Sequence, residues 1–304
     1  MKQAITYLKI LFAVTAWGAS FVATKIALDT TSPSMVVWLR FAIGIIILGV
    51  FVFFRKQFLW PSRKDLAYFA LLGLIGITFH QWLQSNGLVT AQATTTAWIV
   101  ATTPIFIALL GLLVLHEKMR WDAVLGIIAA AFGVLMVVTK GDWRSLLLGQ
   151  FGTPGDLLIM ISAPNWAVFS VLSRKGLQKH NAAPMTLYVM IFGWVGTTVT
   201  LFCDSGFGEI RTLSQDGWWA MCFLGFVATG LAYAFWYDGL EKISASRVGV
   251  FLYLEPVVTM LIANSLLGEP FLVITLIGGI TILIGVWLVN HPRSENYPEE
   301  SITP

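Results

Sequence analysis

Long apolar runs recur along the chain, separated by short stretches rich in Pro, Gly, Ser and charge. They fall roughly at 5–27, 33–54, 66–87, 91–115 and 122–139, then at 155–174, 184–202, 217–239, 244–267 and 272–290. Each approaches the ~20 residues that an α-helix needs to cross about 30 Å of hydrocarbon. Thr31-Ser32-Pro33, Trp60-Pro61-Ser62, Thr153-Pro154-Gly155 and Ala183-Pro184 punctuate the pattern. It predicts an all-α integral membrane protein of ten transmembrane helices.

The two sets of runs are related. A shift of 152 residues carries Gly73 onto Gly225, Gly87-Leu88 onto Gly239-Leu240 and Ala93 onto Ala245. The same shift carries Pro104 onto Pro256, Glu117 onto Glu269, Gly126 onto Gly278, and Gly133-Val134 onto Gly285-Val286. One ungapped offset over three helices is the mark of duplication. Five helices per half is an odd number, so the second half is expected to enter from the opposite side as an inverted repeat. The expected units are residues 1–139, a linker at 140–154, residues 155–290, and a disordered cytoplasmic tail at 291–304.

Charge supports that orientation. With both termini in the cytoplasm, thirteen Lys and Arg lie inside, including Arg55, Arg63, Lys118, Arg120, Arg174, Lys179 and Arg293, against Lys140, Arg144 and Arg211 outside. Only 12% of the 304 residues are charged, about half the share usual in soluble domains. A soluble globule could not cover itself with so few polar groups, and lipid removes that need. The net charge of +3 sits in clusters between apolar runs, which points to membrane orientation rather than nucleic acid. Residues Ile10–Ala23 look like a signal peptide, but the many later spans favour an uncleaved first helix. Cys203 and Cys222 form no CxxC pair and have no His nearby in spacing, so no metal or redox role is expected of them.

Trp17-Gly18-Ala19-Ser20-Phe21, Leu39-Arg40-Phe41, and the paired segments Ala91–Pro104–Glu117 and Ser244–Glu255-Pro256–Glu269 carry a family resemblance. In their order and spacing the chain resembles the ten-helix EamA-type permeases of the drug/metabolite transporter superfamily over residues 5–290. The resemblance implies a permease, often an exporter of amino acids or related metabolites in bacterial inner membranes. It leaves the substrate, the direction of transport and the oligomeric state open, and implies no cofactor.

Polar groups inside the bilayer are costly and usually face a cavity or each other. At about 1.5 Å per residue from each helix start, Trp17, Arg40, His80, Trp98, Asn165, Trp166 and Glu255 all lie ~15–21 Å from the cytoplasmic face, near the midplane. Trp17, His80, Gln84, Trp98, Asn165, Trp166 and Tyr233 are therefore the candidate substrate contacts. Gln84 shares a helix face with His80. Tyr233 and Tyr237 lie nearer the cytoplasm, as a gate or an interfacial belt. Pro104 and Pro256 each free a carbonyl four residues earlier, at Val100 and Leu252, and are candidate hinges. Glu117 and Glu269 read as helix-boundary groups. Glu255 is the only acid at midplane depth. It would either exchange a proton or form an ion pair with Arg40, with Arg247 a more distant partner. Indole faces and a few hydrogen-bonding groups suit an amphipathic, amino-acid-like zwitterion, with protons as a candidate coupling ion.

Enzymatic readings have little to rest on. His116-Glu117-Lys118-Met119-Arg120 lacks the second His of a zinc motif, and no GxSxG elbow or P-loop occurs. The expected activity is secondary or facilitated transport, with an intramembrane enzyme or lipid-handling protein as the alternative.

Overall fold

The computed structural model describes residues 2–57, 59–115, 121–144, 152–204, 206–240, 242 and 248–290. Glu117, Lys118, Arg120, Arg247, most of the expected linker and the tail from 291 lie outside the described residues.

Every regular element among the described residues is helical. In chain order they are α1 (Lys2–Leu28), α2 (Pro33–Phe54), α3 (Arg63–Thr90), α4 (Ala93–Val100), α5 (Thr103–Leu115) and α6 (Trp121–Thr139). The second half holds α7 (Pro154–Leu177), α8 (Ala182–Asp204), α9 (Gln215–Gly239), α10 (Glu255–Leu267) and α11 (Val273–Asn290). Eight helical stretches are long and apolar enough to cross a membrane, and two shorter apolar helices cover Phe251–Leu267 and Val273–Val289.

Helix starts follow from local chemistry. Ser62 and Thr153 form capping boxes with Asp65 and Asp156, and Ser32 and Ser214 accept from Met35 N and Gly217 N. Pro33 and Pro154 occupy first-turn positions where a missing N–H costs nothing. Gly268, at φ 64°, closes α10 in the left-handed conformation, its N–H bonded to Ala263 O.

The fourth apolar run, read from the sequence as one span over 91–115, is two helices joined by a turn at Ala101–Thr102. Pro104 cannot donate back to Val100 O and displaces it from the helical path. The Thr103 hydroxyl takes up that carbonyl at 2.7 Å, and the Thr102 hydroxyl takes up Ile99 O at 2.6 Å. The matching run in the second half is also interrupted. A 3₁₀ turn over Val250–Leu254 precedes Glu255, whose N–H bonds Leu252 O. In addition, α3 and α9 each contain a π-helical stretch, Leu74–Phe79 and Phe223–Leu231, at places related by the same 152-residue offset.

Packing between the halves is reciprocal. A Cβ on Gly126 would stand 2.6 Å from Gly285 O, and one on Gly133 would stand 2.6 Å from Gly278 O. The helices α6 and α11 thus cross backbone to backbone, as small residues permit in membranes. Exchanging the halves by the 152-residue offset turns one contact into the other. Large apolar side chains cover the outer faces, including Ile46, Leu125, Ile128, Val199 and Ile284, a surface suited to lipid rather than water.

Candidate functional site

The interrupted stretches and the π-helical stretch of α3 border one cavity of about 390 Å³, within the usual size range of small-molecule sites. Its walls come from both halves. Trp17 of α1, Arg40 of α2, His80 and Gln84 of α3, Trp166 of α7, Tyr233 of α9, and the breaks at Pro104 and at Glu255-Pro256 all line it.

Arg40 is buried, with Nε donating to Thr229 Oγ1 at 2.8 Å and Nη1 to Gln81 Oε1 at 3.4 Å. Thr229 belongs to the π-helical stretch of α9, so a helical irregularity in one half anchors the cation of the other. His80 immediately follows the π-helical stretch of α3. Its ring lies 4.6 Å from that of Trp166, which in turn lies 4.7 Å from Phe169. His80 Nδ1 is buried without a hydrogen-bond partner among the described residues. Trp17 donates its indole N–H to Ala228 O at 2.9 Å and meets Tyr233 and Trp236 at ring separations of 5.3 and 5.0 Å.

Glu255 stands at the first turn of α10, half-buried against the cavity. Gly18 lets α1 approach this break, because a Cβ there would lie 2.7 Å from Glu255 O. The Thr259 hydroxyl joins the two backbones, at 2.8 Å from Gly18 O and 2.9 Å from Glu255 O. The Glu255 carboxylate has no side-chain hydrogen bond among the described residues, and no ion pair joins it to Arg40. Of the two alternatives for Glu255, proton exchange or a pair with Arg40, the pair is not formed here: both groups line the same cavity, and Arg40 is held by Thr229 and Gln81.

Two candidate contacts lie outside the wall. Trp98 has no solvent exposure and packs in an apolar cluster with Ile99, Val137 and Ile282, its ring filling the space beside Gly279. Asn165 turns away from the cavity and donates Nδ2 to Ile75 O, in the π-helical stretch of α3, at 3.0 Å. Both do structural work there. Glu269, read as a boundary group, is one. Its two carboxylate oxygens accept from Ala93 N at 2.7 Å and Thr94 N at 3.0 Å, at the start of α4.

Sequence reasoning missed Gln81, Phe169, Trp236 and Tyr253, which line the cavity together with Tyr237. A signal was available for some of them. The 152-residue offset carries Gln81 onto Tyr233, Gln84 onto Trp236 and Ala101 onto Tyr253.

A profile of the EamA-like transporter family matches residues 4–139 and 153–291. The chain belongs to the EamA-like transporter family. Among this EamA-family chain's relatives, an uncharacterized transporter of Archaeoglobus fulgidus is 30% identical over 94% of this chain and 99% of its own length. The uncharacterized transporter YyaM of Bacillus subtilis is 29% identical over 94% and 93%. A protein of Streptantibioticus cattleyicolor named "Probable terminal-alkyne amino-acid exporter" is 25% identical over 100% and 99%. A crystal structure at 20% identity, covering 93% of this chain and 97% of the other with a TM-score of 0.64, has the same fold. Family membership and the apolar helices together make the EamA-family chain a multi-pass membrane transporter acting on a small molecule.

Proposed function

We propose that the chain is a secondary or facilitative transporter exporting amino acids or related amphipathic metabolites by alternating access around the central cavity. The observation that carries this reading is the cavity itself, enclosed by both halves and lined at once by indoles, amides and opposite charges. Indole and phenol faces offer apolar contact and cation–π attraction to an ammonium group, while Gln81, Gln84 and His80 offer hydrogen bonds. The amino-acid exporter among the relatives supports the same class.

The reading includes ten membrane crossings arranged as two inverted five-helix repeats, in residues 1–139 and 155–290. Reciprocal contacts of Gly126 with Gly285 and Gly133 with Gly278 support it. Both termini face the cytoplasm of a bacterial inner membrane, following the Lys and Arg bias. Pro104 and Pro256 act as hinges where the walls bend, and Glu255 exchanges protons as the halves rock. The test is counterflow in proteoliposomes holding the purified full chain, against a panel of amino acids and metabolites. Saturable exchange is expected, with Trp166→Ala raising KM and Trp98→Phe leaving it unchanged. Cleavage of a lipid or peptide without any exchange would favour an intramembrane enzyme.

A further inference from the structure

The two π-helical stretches end at matched places. Where the stretch in α9 ends, Ala232 N–H reaches back five residues to Val227 O. An α-helix would send it four residues back, to Ala228 O. Where the stretch in α3 ends, His80 N–H bonds Ile75 O and Ile77 O and bypasses Gly76 O. The 152-residue offset carries Gly76 onto Ala228 and His80 onto Ala232, so the register slips at equivalent carbonyls. A carbonyl bypassed inside a bilayer needs a donor from elsewhere.

The donors come from the first helix of the opposite half. Trp17 of α1 gives its indole N–H to Ala228 O, the bypassed carbonyl itself, at 2.9 Å. Asn165 of α7 gives Nδ2 to Ile75 O, next to the bypassed Gly76, at 3.0 Å. The offset carries Trp17 onto Phe169, whose ring lies against Gly76 where any Cβ would collide with it. Phe169 has no N–H to give, and Asn165, one turn earlier on α7, provides one to the neighbouring carbonyl. Each stretch in turn holds part of the cavity wall. Tyr233, Trp236 and Tyr237 follow directly in α9, and His80, Gln81 and Gln84 follow in α3. Rewinding a stretch to α register shifts every later residue by one position, about 100° around the axis. Leu83 would then take the place of Gln84, and Phe235 that of Trp236, although both lie outside the present wall.

We infer that Trp17 and Asn165 are positioning residues that hold the π register of the opposite half and so choose which faces of α3 and α9 the cavity presents. The inference rests on the transporter reading, because those faces are what a solute meets. Single cysteines at positions 83, 84, 235 and 236 test it, in the full chain lacking Cys203 and Cys222. Their modification by a small water-soluble methanethiosulfonate is followed in proteoliposomes. Without further change, Gln84→Cys should react faster than Leu83→Cys, and Trp236→Cys faster than Phe235→Cys. Asn165→Leu removes the donor at similar size and should raise the ratio of the rate at 83 to that at 84 roughly two- to tenfold, the worth of one hydrogen bond. Trp17→Phe keeps a ring without the N–H and should raise the ratio of 235 to 236 by a similar factor. A bond that only adds stability would lower the melting temperature and leave both ratios unchanged, which would overturn the inference. Leu83→Cys reacting as fast as Gln84→Cys with Asn165 intact would overturn it too, even if neither donor variant folds. Unchanged ratios beside normal counterflow would remove the register role alone. Shifted ratios in a chain that exchanges no solute would support the register role and remove the transporter reading.

Discussion

Glu269→Gln removes a helix cap that joins the end of α10 to the start of α4. The wild-type carboxylate is buried and accepts from Ala93 N and Thr94 N at 2.7 and 3.0 Å. A glutamine oxygen can keep one of these bonds, but its amide turns an N–H toward the other donor. One charge-assisted bond is lost, worth about 1.5–3 kcal/mol, and a buried N–H is left without an acceptor at a cost of about 1–3 kcal/mol. The favourable interaction of a carboxylate with the positive end of α4 is lost as well, about 0.3–1 kcal/mol. The sum is about 3–7 kcal/mol. At roughly 2–4 °C per kcal/mol for large domains, this corresponds to a fall in Tm on the order of 10 °C. Thermal unfolding in detergent, followed by size-exclusion chromatography with fluorescence detection, measures it. Because α4 contributes Ala97 and Val100 to the cavity wall, counterflow should be lost at a lower temperature in parallel. A Glu269→Gln protein melting within about 1 °C of wild type would refute the capping argument.

Other perturbations follow the same logic. Gly133→Ala should destabilise by about 1–3 kcal/mol, because its Cβ would press on Gly278 O; Gly208→Ala, with open space around it, should be neutral in the same melting assay. Asp238 is fully buried between Lys9, Arg55 and Lys242 at 2.6, 2.6 and 2.7 Å. Asp238→Asn should cost about 1–3 kcal/mol, the partial exposure of the three cations limiting the loss, and adding Arg55→Met should restore part of the melting temperature. Single cysteines replacing Arg144 or Arg211, in a background lacking Cys203 and Cys222, should react with a membrane-impermeant maleimide outside intact cells. Cysteines replacing Arg63 or Lys179 should not, and the reverse result would sink the inverted orientation.

Much of this fold is legible in the sequence because lipid imposes a simple rule: each crossing must be a long apolar helix. The interior is harder to read. Depth along a helix is countable from residue numbers, and Trp17, Arg40, His80, Trp166 and Glu255, grouped by that count, line one cavity. Rotation about the helix axis is not countable in the same way. Trp98 shares the estimated depth of Trp166 but faces Gly279 instead of the cavity. Asn165 adjoins Trp166 in sequence, yet successive helical residues point about 100° apart, and its amide serves Ile75 O. The π-helical stretches left no direct sequence signal, although they determine what Thr229 and His80 can reach. Pro104 announced the break before α5, but the recapture of Val100 O by the Thr103 hydroxyl becomes visible only in three dimensions.

The central claim is that a solute crosses the membrane through the cavity between the halves. Ser170 lines that cavity and its hydroxyl only bonds Trp166 O within its own helix, so Ser170→Cys in the background lacking Cys203 and Cys222 is a gentle probe. The direct measurement is counterflow by this variant in proteoliposomes before and after alkylation with a bulky maleimide. The account predicts full exchange before alkylation, none after it, and slower alkylation when substrate is present. Undiminished counterflow through a fully alkylated protein would contradict it.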